Sequence, residues 1–264
     1  MPKKSLRDRL MDIKYFYTYG LFDIFRHGEK HLLQRYTPNS LRAVDIKELS
    51  KCDSLIVISA KYPIEKDDVE NLTALDDQNG ICDIAAAPLV RLFEASEKAC
   101  GEKILFTSTY RTLAFQDSLY GVNPFAVKAG ESEHHSGLVA DIKVDGYAQR
   151  RFIMSKTGKW MAKNAHRFGF IIRYPLWGER KTGVNYEPWH LRYVGEPHAQ
   201  IIYRSKIVLE EYLDMLSEGE FFRFGDYVIS KQSGEHAAFP AEAQEIFCSK
   251  DTRGGLILWG KVLN

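Results

Sequence analysis

The succession of apolar and polar positions divides the chain into short helices and short strands. Over 83–100, Ile84, Leu89, Leu92, Phe93 and Ala95 recur at helical spacing, and Gly101 stands where a left-handed C-terminal cap is needed. This predicts a helix. Residues 156–168 read the same way and are closed by Gly169, while 112–120 predict a shorter helix. Pro197, suited to a first-turn position, opens a long helix to about Leu216, with Ile201, Ile202, Val208, Leu209 and Tyr212 on its apolar stripe. Compact β-branched and aromatic runs predict strands at 55–58, 104–108, 138–144, 170–174 and 189–194. The two-residue period of a strand sets Val139, Asp141 and Lys143 on one face, and His190 with Arg192 on another.

At the ends the pattern changes. Residues 1–50 mix Tyr15, Phe16, Tyr17, Phe22 and Phe25 with charge and read as an N-terminal helical extension. Residues 217–264 turn to short Phe-, Gly- and Lys-rich runs and read as a small β-rich appendage behind a central domain over 51–216. Helices and strands do not alternate in a βαβ rhythm. The expected class is therefore α+β, with a small antiparallel sheet flanked by helices and a short C-terminal β appendage.

Composition narrows the function. The chain has 264 residues, of which 45% are hydrophobic and 27% charged, the profile of an ordinary globular protein. Its 36 basic and 35 acidic residues leave a net charge of +1, which argues against broad electrostatic wrapping of nucleic acid and for a substrate met in a local pocket. Cys52, Cys82, Cys100 and Cys248 form no CxxC pair and are expected to be reduced and buried. Charged residues from Asp8 to Arg26 interrupt every apolar run after the basic start Met1–Arg7, and no window reaches the ~20 apolar residues of a spanning helix. No integral membrane segment is expected, and the sequence as it stands points to the cytoplasm, with the cell envelope or release by lysis as the alternative.

The densest chemistry lies in 132–141, where His134 precedes Asp141 by seven positions with Gly137 between them. A second island, 186–190, pairs Glu187 with His190. Two imidazoles and a carboxylate complete the donor set of a catalytic zinc site, which uses three protein ligands and leaves a fourth position for water. One zinc per chain is therefore expected, held by His134, Asp141 and His190. Strand geometry turns neighbouring side chains apart, so His135 is expected beside the metal's first ligand or facing solvent, not on the ion.

These residues resemble the VanY-type D-alanyl-D-alanine carboxypeptidases, zinc peptidases that share a metal-site architecture with lysostaphin-like endopeptidases and Hedgehog domains. The family pattern SxHxxGxAxD is met at Ser132, His134, Gly137 and Asp141, with Val139 in its alanine position; ExWH is met at Glu187, Trp189 and His190. The likeness takes in Thr109–Thr112 with Gln116, then 169–175 and 181–183, and covers roughly 54–216. It implies Glu187 as the general base and Arg111 as the cation that stabilises the oxyanion or holds the substrate carbonyl. Ser132 and Gln116 are candidates for gripping the peptide's terminal carboxylate, and Tyr186 for lining the pocket. The implied activity is removal of the terminal D-alanine from a peptidoglycan stem peptide or its precursor. An L,D-carboxypeptidase, a D-Ala-D-Ala dipeptidase or a peptidoglycan endopeptidase would use the same site. A non-catalytic wall-binding protein with a vestigial zinc site is the reading from another class, and the presence of Glu187 argues against it.

Overall fold

The computed structural model describes residues 6–15, 26–51, 53–69, 71–123, 126–234 and 236–262. In chain order, helix α1 (Leu6–Tyr15) precedes three short strands, β1 (Gln34–Tyr36), β2 (Leu41–Asp45) and β3 (Ser50–Lys51). The hairpin of β4 (Leu72–Ala74) and β5 (Gly80–Cys82) leads into α2 (Asp83–Cys100), β6 (Ile104–Ser108) and α3 (Leu113–Leu119). Then come β7 (Val139–Val144), α4 (Lys156–Asn164), β8 (Phe170–Tyr174), α5 (Glu179–Thr182), β9 (Glu187–Tyr193), α6 (His198–Ser205) and α7 (Leu209–Met215). Five strands close the chain: β10 (Phe221–Phe224), β11 (Tyr227–Gln232), β12 (His236–Pro240), β13 (Gln244–Asp251) and β14 (Gly255–Lys261).

Helix α2 ends as its sequence requires. Gly101 takes φ 70°, and its N–H donates to the Glu97 carbonyl. The buried face of α2 (Ala85, Leu89, Leu92) packs with Met161 and Ala165 against Ile104, Ala140, Ile142, Phe170 and Leu191 of a four-stranded antiparallel sheet ordered β6-β7-β9-β8. Burying each Leu-sized side chain there stabilises the fold by roughly 1.5–3 kcal/mol. The α+β class with an antiparallel sheet flanked by helices is what the pattern predicted, and among the described residues no helix is long and apolar enough to cross a membrane.

The N-terminal region differs from expectation. Described residues in 26–50 are not a helical extension. β1 pairs with β10, β2 with β12, and β3 runs parallel to β13. These short strands extend or cover the edges of the C-terminal strands, which would otherwise present unpaired backbone groups. The helix α1 is present, whereas residues 1–5 and 16–25 of the predicted extension lie outside the described residues. The expected C-terminal β unit is present over 217–264, and it packs against the rest of the chain. Its strands supply most of a six-stranded sheet, β1-β10-β11-β14-β13-β3, whose Ile229, Ile257 and Trp259 share a core with Leu55, Val57, Ile171 and the helix residues Ile201, Leu209 and Tyr212. Packing is continuous across residue 216.

Two further expectations fail for local reasons. The run 55–58 forms no strand. Leu55 and Val57 are buried, and their N–H groups donate to Ser249 Oγ and Thr252 Oγ1, so side chains of the C-terminal unit stand in for a ladder partner. The helix over 197–216 breaks into α6 and α7, because Lys206 adopts φ 54° and its N–H closes α6 onto Ile202 and Tyr203. The break lets Ile201 and Ile202 before it, and Leu209, Tyr212 and Leu213 after it, reach one core. Cys82, Cys100 and Cys248 are free thiols, with only Cys248 buried; Cys52 lies outside the described residues.

Candidate active site

The two chemical islands meet on one face of the four-stranded sheet. A short 3-10 turn, Glu133–Ser136, begins on Ser132, whose hydroxyl accepts from the His134 N–H at 3.3 Å. Gly137 ends the turn at φ 65° and feeds β7; a Cβ there would lie 3.2 Å from Leu72 and Val69, so both conformation and space call for glycine. Asp141 of β7 stands directly opposite His190 of β9 in the ladder. His134, Asp141 and His190 are all buried, and one ligand atom from each lies within 4.8 Å of the others.

The spacing fits a tetrahedral ion. His134 Nε2 is 3.2 Å from Asp141 Oδ2, and His190 Nδ1 is 3.0 Å from Asp141 Oδ1. Donors about 2.0–2.2 Å from a shared metal are separated by similar distances. Asp141 Oδ1 is buried yet accepts no hydrogen bond, a cost that a cation would remove. The ring nitrogens facing away from the cluster are also placed for metal binding. His134 Nδ1 meets the Thr109 carbonyl at 2.5 Å, and His190 Nε2 faces Glu133 at 4.0 Å. The Thr109 carbonyl is a partner of the kind that fixes the ring a metal-bound histidine presents, whereas Glu133 stands behind His190 beyond hydrogen-bond reach.

Strict strand alternation would send Glu187 and His190 to opposite faces of β9. The ladder prevents this. Between the pairs Ile172–Leu191 and Tyr174–Glu187, β8 advances two residues while β9 advances four, and this irregularity turns Glu187 back toward the site. Glu187 Oε2 comes 3.6 Å from His190 Nδ1, and its side chain keeps 12% exposure. On the other flank, Arg111 donates from Nε to Ser108 Oγ at 2.7 Å and from Nη1 to Gln116 Oε1 at 3.1 Å, leaving Nη2 3.5 Å from Asp141 Oδ2. Arg111, Ser132, Glu187 and His190 all face a cleft of about 590 Å³.

Other expected residues take different places. Gln116 is in the cleft wall, where its amide accepts from Arg111 Nη1 and donates to the Val127 carbonyl at 2.8 Å, so it helps hold Arg111 in place. Ser132 lines the cleft and caps the turn. Tyr186 is buried outside the cleft, against Ile153 and near a separate cavity of about 60 Å³, so it does not line the substrate pocket. His135 is buried instead of facing solvent. Its Nδ1 meets the Arg111 carbonyl at 2.7 Å, and its Nε2 accepts from the Gly130 N–H at 3.1 Å. That pairing requires the proton on Nδ1 and ties the His134 turn to the Arg111 loop.

Sequence reasoning missed Glu133. Its carboxylate is fully buried, bound by Arg173 Nε at 2.8 Å and Arg192 Nη1 at 3.0 Å, with His190 beyond it. Arg173 continues to Glu210. The signal available was an acid inside the densest motif together with arginines on both neighbouring strands; nothing in a linear sequence joins them.

The charges hold one another in place. Burial opposes ionisation of Asp141, but attraction to His134 and His190 outweighs it and lowers its pKa. Burial likewise opposes charge on Glu133, and Arg173 and Arg192 overcome it, keeping Glu133 ionised. Glu187 differs. Burial, with a contribution from the Asp141 charge, pushes it up to about 7 against the pull of His190 and Arg111. A carboxylate so placed can both take and return a proton near neutral pH.

A family model for the VanY D-alanyl-D-alanine carboxypeptidases matches residues 79–196, which include the three clustered side chains, Glu187 and Arg111. The chain is 34% identical over 209 residues to a D-alanyl-D-alanine carboxypeptidase of Enterococcus faecium, covering 69% of this chain and 68% of that one. It also resembles the crystal structure of a vancomycin-resistance D,D-pentapeptidase VanY from a VanB-type cassette, in complex with Zn(II). There the identity is 34%, the TM-score 0.53, and the match spans 61% of this chain and 98% of that chain. VanYB in complex with D-alanine-D-alanine matches at 34% identity and a TM-score of 0.54, over 62% of this chain and 99% of that one. On this likeness, and on the motifs that assemble the site, the chain belongs to the VanY family of D-alanyl-D-alanine carboxypeptidases.

Proposed function

We propose that this protein is a zinc-dependent carboxypeptidase that removes the terminal D-alanine from peptidoglycan stem peptides or their precursors. His134 Nε2, Asp141 and His190 Nδ1 would hold the metal. Zinc bound there supplies Lewis-acid chemistry, acidifying water and polarising the scissile carbonyl. Glu187 takes a proton from the attacking water and delivers it to the amine of the departing D-alanine as the C–N bond breaks. Arg111, fixed by Ser108 and Gln116, places its guanidinium where negative charge develops on the carbonyl oxygen. The Thr109 carbonyl orients the His134 imidazole from behind, and the Glu133 carboxylate places negative charge behind that of His190.

The observation that carries this reading is the convergence of His134, Asp141 and His190 in a cleft that also exposes Glu187 and Arg111. A structural metal site needs ligands; it has no use for a buried base beside them. The test is incubation of the zinc-loaded chain with a pentapeptide ending in D-Ala-D-Ala, with products resolved by mass spectrometry. Free D-alanine and a tetrapeptide are expected, abolished by chelation and restored by zinc. Release of the intact D-Ala-D-Ala dipeptide, or an uncut peptide, would overturn the assignment.

A further inference from the structure

The cleft does not stop at the site. A second hollow of about 580 Å³ adjoins it, and Ser59, Lys61, Thr182 and Glu210 line both. One wall of this hollow comes from the six-stranded sheet, through Lys231 of β11 and Arg253 of the β13–β14 turn. A peptide with its C-terminal end at the metal-ligand cluster must lead the rest of its length away. The shared lining offers it a polar route toward the C-terminal unit, and three extended residues already span about 10 Å.

Most charges along that route are matched. Lys231 and Arg253 share the buried Asp251 at 2.6 and 3.2 Å, and Arg253 also meets Asp214. Lys181 pairs with Glu211 at 2.6 Å, and Glu210 with Arg173. Lys61 is the exception. Among the described residues it makes no ion pair; its ammonium lies 5.1 Å from the centre of the Tyr62 ring, exposed on the wall common to both hollows. An ammonium with free donors at that junction suits an anionic group on the passing chain.

Resting on the carboxypeptidase reading, we infer that the second hollow receives the part of the substrate N-terminal to its D-Ala-D-Ala end, and that Lys61 binds a carboxylate carried there. The C-terminal unit is then part of the substrate-recognition surface.

Three substrates test this in the zinc-loaded full chain: a pentapeptide ending in D-Ala-D-Ala with a free carboxylate on its second residue, the same peptide amidated at that carboxylate, and an acetylated tripeptide ending in D-Ala-D-Ala. An exposed ion pair of this kind gives the free-carboxylate peptide a kcat/KM roughly two- to fivefold above that of its amide. The preference disappears in about 1 M salt, where the screening length is near 3 Å. Lys61→Ala removes the preference and leaves the tripeptide unaffected, and Lys61→Glu inverts it. An unchanged ratio in Lys61→Ala, or equal losses on all three substrates, overturns the inference while the carboxypeptidase reading stands. If wild-type protein cuts none of the three, the carboxypeptidase reading itself fails and takes the inference with it.

Discussion

Along β11 and β14, successive residues are buried on opposite sides of the six-stranded sheet. Ile229, Ile257 and Trp259 enter one core, and Val228 and Leu258 enter another with Phe239 and Cys248. One side of the four-stranded sheet is apolar throughout, where Ala140, Ile142 and Leu191 meet α2 and α4, while Val139 and Ile171 are buried apolar residues of the opposite side. That opposite side also carries Asp141, His190, Arg173 and Arg192, every one of them buried. In the first sheet burial itself supplies the stability. In the second, burial raises the cost of each charge, and the charges persist because each has a partner or, at Asp141, a place for a cation. Side chains of the two sheets should therefore fail differently when removed.

The largest effect is expected at Glu187. Glu187→Gln removes the base while preserving shape, and should lower kcat about 10²–10⁴-fold with zinc content and thermal midpoint unchanged. A loss under tenfold in steady-state kinetics would mean that the carboxylate is not the proton carrier. Trp259→Ala sharpens the opposite side of the comparison. It should cost about 3–5 kcal/mol in urea unfolding while the folded fraction keeps wild-type activity on a short peptide. Activity falling faster than the folded fraction would erase the distinction between the sheets.

Glu133→Gln should weaken zinc binding about 10–100-fold in competition with a chelator, because the negative charge behind His190 is removed and the buried Arg192 loses its counter-charge. Unchanged zinc affinity would leave Glu133 a purely structural anchor. The smallest effect concerns pH, at the joint between the two regions. His198 is buried between Tyr212, whose hydroxyl lies 2.6 Å from its Nδ1, and Trp259. Burial lowers its pKa from 6.5 to about 3. The unfolded chain binds this proton more readily, so the contribution to stability is complete above pH 6.5 and declines as pH falls toward 3. Between pH 6.5 and 5.5 the decline is about 1 kcal/mol, and it steepens toward about 1.4 kcal/mol per pH unit below that. His198→Gln should flatten that part of the stability profile; an identical slope in urea titrations would place the pH sensitivity elsewhere.

How much of this was legible in the sequence follows from where each interaction lies. Helix α2 was legible because periodicity and the Gly101 cap are local properties. The three clustered side chains were legible because each island carries its own turn and strand. The position of Glu187 was harder. Two-residue alternation argues against it, and only the misregister between β8 and β9 restores it to the site. The run at 55–58 misled because a β-branched stretch reads as a strand whether its backbone meets another backbone or, as here, the hydroxyls of Ser249 and Thr252. Gln116, His135 and Glu133 depend on partners 5 to 59 positions away, through hydrogen bonds and ion pairs that no spacing rule records. The strands of 34–45 were missed because they exist only as edge partners of strands near the other end of the chain.

Whether the three clustered side chains hold a metal decides the assignment, and zinc content measures this directly. Wild-type protein and Asp141→Asn, loaded with zinc, dialysed and analysed by atomic emission, should retain one zinc per chain and far less than one, respectively, with matching circular dichroism. Equal zinc in the two proteins would contradict the site as described.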